Sequence, residues 1–487
     1  MMLDSLPFRH LVDSLGVRSA VTRKPSPAAL PALALKAAAA AFAGLCLVAA
    51  VSGRAEAQEQ SVPVVRDAEI EALVRDYVRP ILQAAGLSKS GISIILVNDR
   101  RFNAFVDGRR IFINTGALAT AETPNEIIGV LAHETGHLAG GHQQRLRDQL
   151  ARAQTMAIVA GLLGVGAMAA GAATDNSGLA QSGVGIAAGG SEIARRGLLG
   201  YQRTEEATAD RSAATYLERT KQSAKGMLKT FQRFQSALSL SGTQVDPYQI
   251  SHPMPRDRIA NLQTLAESSP YFDTADSPEL QLRHDMMRAK IAAFTQGSNV
   301  SRMFRNDPTG IPAAYGNAIS TYLHGNLKSA LAKTDALIKA LPKNPYLYEL
   351  RGDILLKANK PKDAAAAYAK AVSLDPAKSG LLQVSYGQAL LAAGDAASVG
   401  KAVSALKKGL DRDKENISGY RYLAQAYGQL GEIPEADLAT AEGYFYGGGY
   451  KDAKIFAARA QQRLKRGSPG WVRAQDIINF KVPKKGK

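Results

Sequence analysis

The sequence predicts an α+β, mainly α-helical protein in two parts, a helical domain with a small sheet followed by an all-α solenoid of repeated helix pairs. Three observations carry that reading. Thr123-Pro124-Asn125-Glu126 supplies an N-cap, a proline at the first helical position and the reciprocal glutamate of a capping box, so residues 124 to about 150 are predicted helical. Ile92 to Val97 and Arg110 to Asn114 are short apolar runs, the second ending at Gly116, and read as strands. The last third repeats its small and aromatic residues about every 34 positions, the period of stacked helix pairs.

The chain of 487 residues is long enough for about two or three domains, and 46% hydrophobic with 21% charged residues argues against disorder at large. Residues 1–57 read as a secretory signal. Arg9, Arg18, Arg23, Lys24 and Lys36 precede an uncharged run from Ala37 to Gly53, and Ala55-Glu56-Ala57 offers a small-x-small cleavage pattern before Gln58. The basic leader is long for a signal, so an uncleaved anchor, a mitochondrial presequence or a misannotated start stays open. Cys46, the single cysteine, lies inside the apolar run without the small residue expected before a lipidated cysteine, so the cleaved chain forms no disulfide. Loss of six basic and three acidic residues takes the formal charge from +17 to +14, which draws the protein to anionic membrane surfaces or acidic clients. No basic stripe with interleaved aromatics appears, so nucleic acid is not an expected partner.

The predicted helix from 124 carries His133-Glu134-Thr135-Gly136-His137. HExxH on a helix sets two imidazoles one turn apart with a carboxylate beside them, the arrangement that holds a catalytic Zn²⁺ and activates a water. A catalytic zinc takes a third protein ligand. The candidate is Glu206, with Asp210 one turn on and on the same face, placed to accept the Nδ1 proton of a ligating histidine. Glu205, one residue of register away, stays open as the ligand. On a continuous helix His142 points roughly 140° away from His137 and 180° from His133, which makes it a supporting or surface residue. His284 and His324 have no partner that the sequence names. The strand at 110–114, with Ile111, Phe112, Ile113 and Asn114, is the candidate edge for holding an extended peptide, since backbone pairing gives affinity without demanding a sequence.

Residues 155–191 stand between the two metal-binding motifs. Thr155 to Thr174 carries no charge, Asp175 and Asn176 interrupt, and Leu179 to Ser191 continues uncharged with small residues at Gly185 and Gly189. About twenty such residues reach across a bilayer as a helix, yet the glycine and alanine content weakens insertion and favours close helix packing. We expect a short helical hairpin that plugs a cleft or dips into a membrane face. A stretch at 291–312 reads as a linker. From 313 to 480 the repeats follow: Tyr348, Gly352, Leu355, Ala364, Tyr368, Ala371 and Pro376 stand at tetratricopeptide spacing, with an earlier copy at Ala318, Ala330 and Pro342 and later ones at Gly387 and Leu390 and at Ala424, Tyr427 and Ala436. Such solenoids bind peptides or proteins on a concave face. Residues 481–487 form a solvated basic tail.

HExxH followed by Glu206, Ala209 and Asp210 resembles the zinc peptidase family that includes the CAAX prenyl protease and HtpX, whose pattern is HExxH and then ExxxD with alanine before the aspartate. Asn103-Ala104-Phe105 running into Ile111-Phe112-Ile113-Asn114-Thr115-Gly116 is similar to the family's "NAF" strand and turn, and Ser251-His252-Pro253-Met254-Pro255 to its "HP" loop. The match covers about residues 65–290, within a peptidase domain spanning 58–290. The resemblance implies a gluzincin-type fold, His133, His137 and Glu206 as zinc ligands, one zinc per chain, and Glu134 as general base. It also implies an active-site place for His252, as a fourth zinc ligand that would make the loop a gate or as an oxyanion contact, against the alternative of a mere turn cap, with Arg258 a lesser candidate for oxyanion or substrate contact. With the repeats, it implies a periplasmic endopeptidase acting on misfolded or stalled outer-membrane proteins, docked through the solenoid to clients or their assembly machinery. A chaperone or assembly adaptor with a largely latent site is the alternative, and an integral-membrane peptidase a third.

Overall fold

The computed structural model describes residues 63–241, 252, 256–296 and 299–482; the expected signal segment 1–57 and most of the basic tail lie outside them. Residues 62–157 with 191–487 form one compact unit, and the other includes 158–190. In chain order the first part of the large unit is β1 (Val64–Val65), α1 (Ala68–Ala84), β2 (Ser93–Val97), β3 (Ala104–Asp107), β4 (Arg110–Asn114), α2 (Thr115–Thr120) and α3 (Pro124–Gly140).

The sheet order is β1-β2-β4-β3, with β2 and β4 parallel and β3 folded back antiparallel on β4 through Gly108, whose φ of 58° suits a tight hairpin turn. Alternation along the strands puts Leu96, Ile111 and Ile113 on one face, fully buried against Leu73, Tyr77 and Ile81 of α1 and Ile127 and Leu131 of α3. The strand at 110–114, expected at an edge, is therefore interior. β3 covers its free side, so the edge on that side of the sheet belongs to Ala104–Asp107.

α3 begins where the sequence placed it, with Thr123 extended and Pro124 in the first turn. The capping box is not made. Thr123 makes no side-chain cap bond, while Glu126 accepts the backbone N–H of Glu122 at 3.2 Å and is buried beneath Arg233 and Lys229. Nor does the helix run to residue 150. Gly141 at φ 66° caps it in the left-handed conformation, and the chain restarts as α4 (His142–Ala173). Next come α5 (Ser177–Arg219), α6 (Lys225–Ser241), α7 (Arg256–Glu267) and α8 (Pro278–Gln296).

In the unit that includes 158–190, the distal part of α4 and the start of α5 form a helical hairpin turning at Asp175, whose φ is 51°. A Cβ at Gly164, Gly171, Gly183 or Gly190 would collide with the opposite helix, so these glycines set the helix spacing. Gly185 and Gly189, the expected packing positions, face no atom within 4 Å. Outward, the hairpin exposes Ile158, Leu162, Leu163, Val184 and Ile186.

The expected linker at 291–312 is not one. It holds the end of α8 and the short α9 (Asn299–Met303), and Ala292, Ala293 and Val300 share a core with Tyr315 and Ile319. Five helix pairs follow: α10 and α11 (Ile311–His324, Leu327–Ala340), α12 and α13 (Pro345–Lys357, Pro361–Leu374), α14 and α15 (Gly380–Ala393, Ala396–Arg412), α16 and α17 (Ile417–Gln429, Ile433–Tyr446), and α18 and α19 (Tyr450–Arg463, Pro469–Asn479). Within a pair Gly352 packs under the Tyr368 ring and Gly387 under Leu406, where a Cβ would not fit. Lys290 of α8 is buried between Asp67 at 2.7 Å and Glu69 at 3.2 Å, and the Tyr315 hydroxyl donates to Glu69 at 2.7 Å, which ties the start of α1 to the first solenoid pair.

His284 of α8, unassigned by the sequence, sits fully buried between the Tyr77 hydroxyl at 2.9 Å and the Ala121 carbonyl at 3.0 Å, and burial pushes its imidazole down to about 4. An unfolded histidine titrates near 6.5, so between these values the unfolded chain holds the extra proton. The contribution is complete above pH 6.5 and is lost as pH falls through that window, by roughly 3 kcal/mol. Urea unfolding at pH 7.5 and 4.5 should show the loss, and His284→Asn should shrink the difference.

Candidate metal centre

The site forms because α3 and α5 pass unusually close. A Cβ on Gly136 would stand 2.9 Å from the Ala209 carbonyl, so only glycine lets the two helices meet at this depth. Their facing residues converge: His133, Glu134, His137, Glu206 and Asp210 are all buried, and His252 and Arg258 join them.

His133 Nε2 lies 3.0 Å from His137 Nε2, 3.3 Å from His252 Nδ1 and 3.3 Å from Glu206 Oε2. His137 Nε2 is 3.4 Å from Glu206 Oε1, and His252 Nδ1 is 3.0 Å from it. Ligand atoms around a tetrahedral ion with bonds of about 2.0–2.1 Å stand about 3.3–3.4 Å apart, close to these separations, so this nitrogen and oxygen set could hold a metal ion. The charge fits as well. With the imidazoles neutral, as metal ligands are, Glu134, Glu206 and Asp210 against Arg258 leave a formal deficit of two positive charges in a buried space.

Burial dominates each titration, and the contacts decide the rest. His137 is depressed by burial to about 3. For His133, burial pulls down but Asp210 and Glu206 overcome it and raise the imidazole to about 9. Glu206 and Asp210 would be raised by burial, yet His252, with His133 and His137, holds Glu206 well below the carboxylate range, and Arg258 with His133 lowers Asp210. Glu134 has no compensation of that strength, so burial raises it. Neither of its oxygens has a hydrogen-bond partner among the described residues, and His252 Nε2 stands 3.5 Å away.

Asp210 Oδ1 faces His133 Nδ1 at 3.0 Å, as the spacing from Glu206 suggested, so Nε2 of that ring turns to the cluster. Arg258 does not present itself to a substrate. Its guanidinium donates to Asp210 at 2.6 and 2.8 Å, pairs with Glu206 at 2.8 Å and lies over the Phe231 ring, which makes it a clamp on the two acids. Ile111 and Ile113 are sheet core, Phe112 stacks on Phe105, and Asn114 donates to the Arg101 carbonyl, so none of the four 110–114 candidates reaches the cluster.

His142 is the residue that helical geometry misplaced. Because Gly141 breaks the helix, His142 doubles back and sets Nδ1 2.9 Å from His137 Nδ1, while its Nε2 faces Glu205 Oε2 at 2.7 Å. Arg145 pairs with the same carboxylate oxygen at 2.7 Å, and Tyr201 bonds Arg145. Glu205 is thus a support two contacts behind His137, and Glu206 faces the cluster.

Residues 65–266 match peptidase family M48. This stretch is an M48 peptidase domain. Over most of its length the chain is also similar to beta-barrel assembly-enhancing protease: 23% identity over 421 residues with that of Escherichia coli K12, and 22% over 414 with that of Yersinia pestis, each covering 84% of this chain and 82% of the relative. A solved structure, MamA, aligns at 20% identity over 33% of this chain and 90% of its own, with a TM-score of 0.27. M48 peptidases are metal-dependent, in keeping with the donor cluster.

Outer supports of a ligating imidazole are worth about 10- to 100-fold in metal affinity. Glu205→Gln should weaken retention of zinc by that factor in a chelator competition, with the circular dichroism spectrum unchanged. Equal retention would show that the His137–His142–Glu205 contacts carry no such role.

Proposed function

We propose that this protein is a zinc-dependent endopeptidase of the cell envelope that degrades misfolded or stalled outer-membrane proteins. The observation that carries the reading is an unpartnered, buried Glu134 beside four converging donors, His133, His137, Glu206 and His252. Mixed imidazole and carboxylate donors suit zinc, which when bound would polarise the scissile carbonyl and make a water acidic. His133, His137 and Glu206 would hold it. Glu134 takes the proton from the attacking water and returns it to the leaving amine. Asp210 and the His142–Glu205 pair keep the two imidazoles in register, and Arg258 pairs with Glu206 and, with His133, keeps Asp210 ionised.

A fourth protein ligand fills the position catalysis needs, so His252 is a gate that withdraws when a client enters. The client lies as an extended strand along β3, whose outer backbone groups offer sequence-independent pairing. The relatives' name supports outer-membrane assembly as the setting, and the signal-like leader supports the periplasm. The helix pairs, read as tetratricopeptide repeats, dock the client or its assembly machine.

Degradation of reduced, unfolded casein by the chain from Gln58 tests the reading. Glu134→Gln should lower the rate by a factor of about a thousand or more while zinc stays bound, and His252→Ala should cut faster than wild type. Bound zinc without cleavage in either wild type or His252→Ala would favour the adaptor alternative.

The apolar hairpin serves as a peripheral membrane contact: it exposes Leu162, Leu163 and Val184, and Arg147, Arg152, Arg195 and Arg196 flank it in sequence. The protein should float with phosphatidylglycerol vesicles. Leu162→Ser with Leu163→Ser should abolish flotation without altering casein cleavage, and unchanged flotation would reject the contact.

A further inference from the structure

The outer edge of the sheet carries a contact that the chemistry above does not use. Asn114 N–H bonds the Asn103 carbonyl at 2.9 Å, which fixes the phase of β3–β4 pairing. Antiparallel alternation then turns the backbone groups of Phe105 and Asp107 towards β4, and those of Ala104, Val106 and Gly108 outward. Gln143, in the first turn of α4, sits on two of the outward groups. Its Nε2 donates to the Val106 carbonyl at 3.1 Å, and its Oε1 accepts from the Gly108 N–H at 3.0 Å. Bonding a carbonyl and the N–H two residues on is what one residue of an added parallel strand does.

The carboxamide is held there. Nε2 also donates to Asp107 Oδ1 at 3.0 Å, an oxygen that Arg147 bonds at 3.0 Å. Ala104 is fully buried, so short of the carboxamide the outward group at a partly exposed residue is the Val106 N–H, which no described residue takes. Gln143 follows His142 directly, so the occupied end of the edge adjoins the support of His137. Beyond it lies a cleft of about 1370 Å³, lined on the sheet by Ile95, Phe105 and Phe112, with Gln143 on its wall and Asp411–Glu415 of the solenoid opposite.

We propose that Gln143 is a specificity-determining stop, a side chain that imitates one strand residue and closes the β3 edge at Val106. The proposal rests on the reading of the protein as an endopeptidase that holds extended chains along β3. A client reaches the Val106 N–H, at a partly exposed residue, while Ala104 is fully buried. To pair further it must displace the carboxamide and exchange hydrogen bonds one for one, so added length brings no added affinity. Short extended stretches are then bound as well as long ones, and clients do not run on into the cleft.

The test uses the zinc-loaded chain from Gln58, with unfolded β-casein and with a short casein peptide spanning one cut site. Gln143→Ala frees the Val106 carbonyl and the Gly108 N–H; one added hydrogen bond is worth about a factor of five. KM for β-casein should fall about fivefold or more with kcat within twofold, and KM for the short peptide should stay put. Gln143→Glu keeps the acceptor and loses the donor, so its KM for β-casein should fall between the two. An unchanged KM for β-casein, or equal changes for both substrates, would overturn the proposal. Anisotropy of labelled β-casein with Glu134→Gln, with and without Gln143→Ala, separates the two readings. Tighter binding in the double variant without any wild-type cleavage keeps the stop and sinks the peptidase; cleavage with equal binding does the reverse.

Discussion

Everything at the metal centre depends on how near α3 and α5 approach at Gly136 and Ala209. One methyl group on Gly136 would force the helices apart by a few tenths of an ångström. Donor atoms now 3.0–3.4 Å apart would no longer converge. The requirement is steric and costs little in the folded state, yet the positions of three acids and two imidazoles follow from it. Interiors transmit such displacements, because close packing leaves no slack to absorb them.

Given that approach, α5 does most of the organising. Glu206 enters the donor set, Asp210 orients His133 from within, and Glu205 reaches His137 through His142 from the other side. Three acids on one buried helical stretch would repel one another and resist ionisation. Arg258 on α7 relieves two of them, and Arg145 with Tyr201 engages the third at its more exposed end. The carboxylate left without a hydrogen-bond partner among the described residues is Glu134, and burial raises it.

The features legible in sequence were those fixed by local spacing: the HExxH turn, the Glu206–Asp210 pair one turn apart, the strands, and the repeats with Gly352 beneath Tyr368. What escaped depends on a single backbone turn or on distant packing. Gly141 ends a helix that periodicity would have continued, so the rotation that sent His142 to the surface applied to a helix that does not exist. Gly108 folds β3 over β4 and moves the edge by one strand. In the hairpin, the turn at Asp175 sets which glycines face each other, and it selects Gly183 and Gly190 over Gly185 and Gly189. Arg258 became a clamp because both acids on α5 lie within its reach, a fact of tertiary distance alone.

Lys290 has a bearing on how this chain can be divided. Its ammonium is shared by Asp67 and Glu69 at the beginning of the peptidase part, and Glu69 in turn is held by Tyr315 of the first solenoid pair. Cutting between α8 and α10 leaves Glu69 without its hydroxyl and bares the apolar surface that α8 and α9 share with Tyr315 and Ile319. Lys290 stays with α8, so the loss at Glu69 is one hydrogen bond to a buried carboxylate, worth about 1–3 kcal/mol beside the bared apolar surface, a sizeable share of the stability of an ordinary domain. The helix pairs are therefore an integral wing of the enzyme and not an interchangeable cartridge. Grafts, swaps or shortened versions of either half must carry the Asp67–Glu69–Lys290–Tyr315 knot with them.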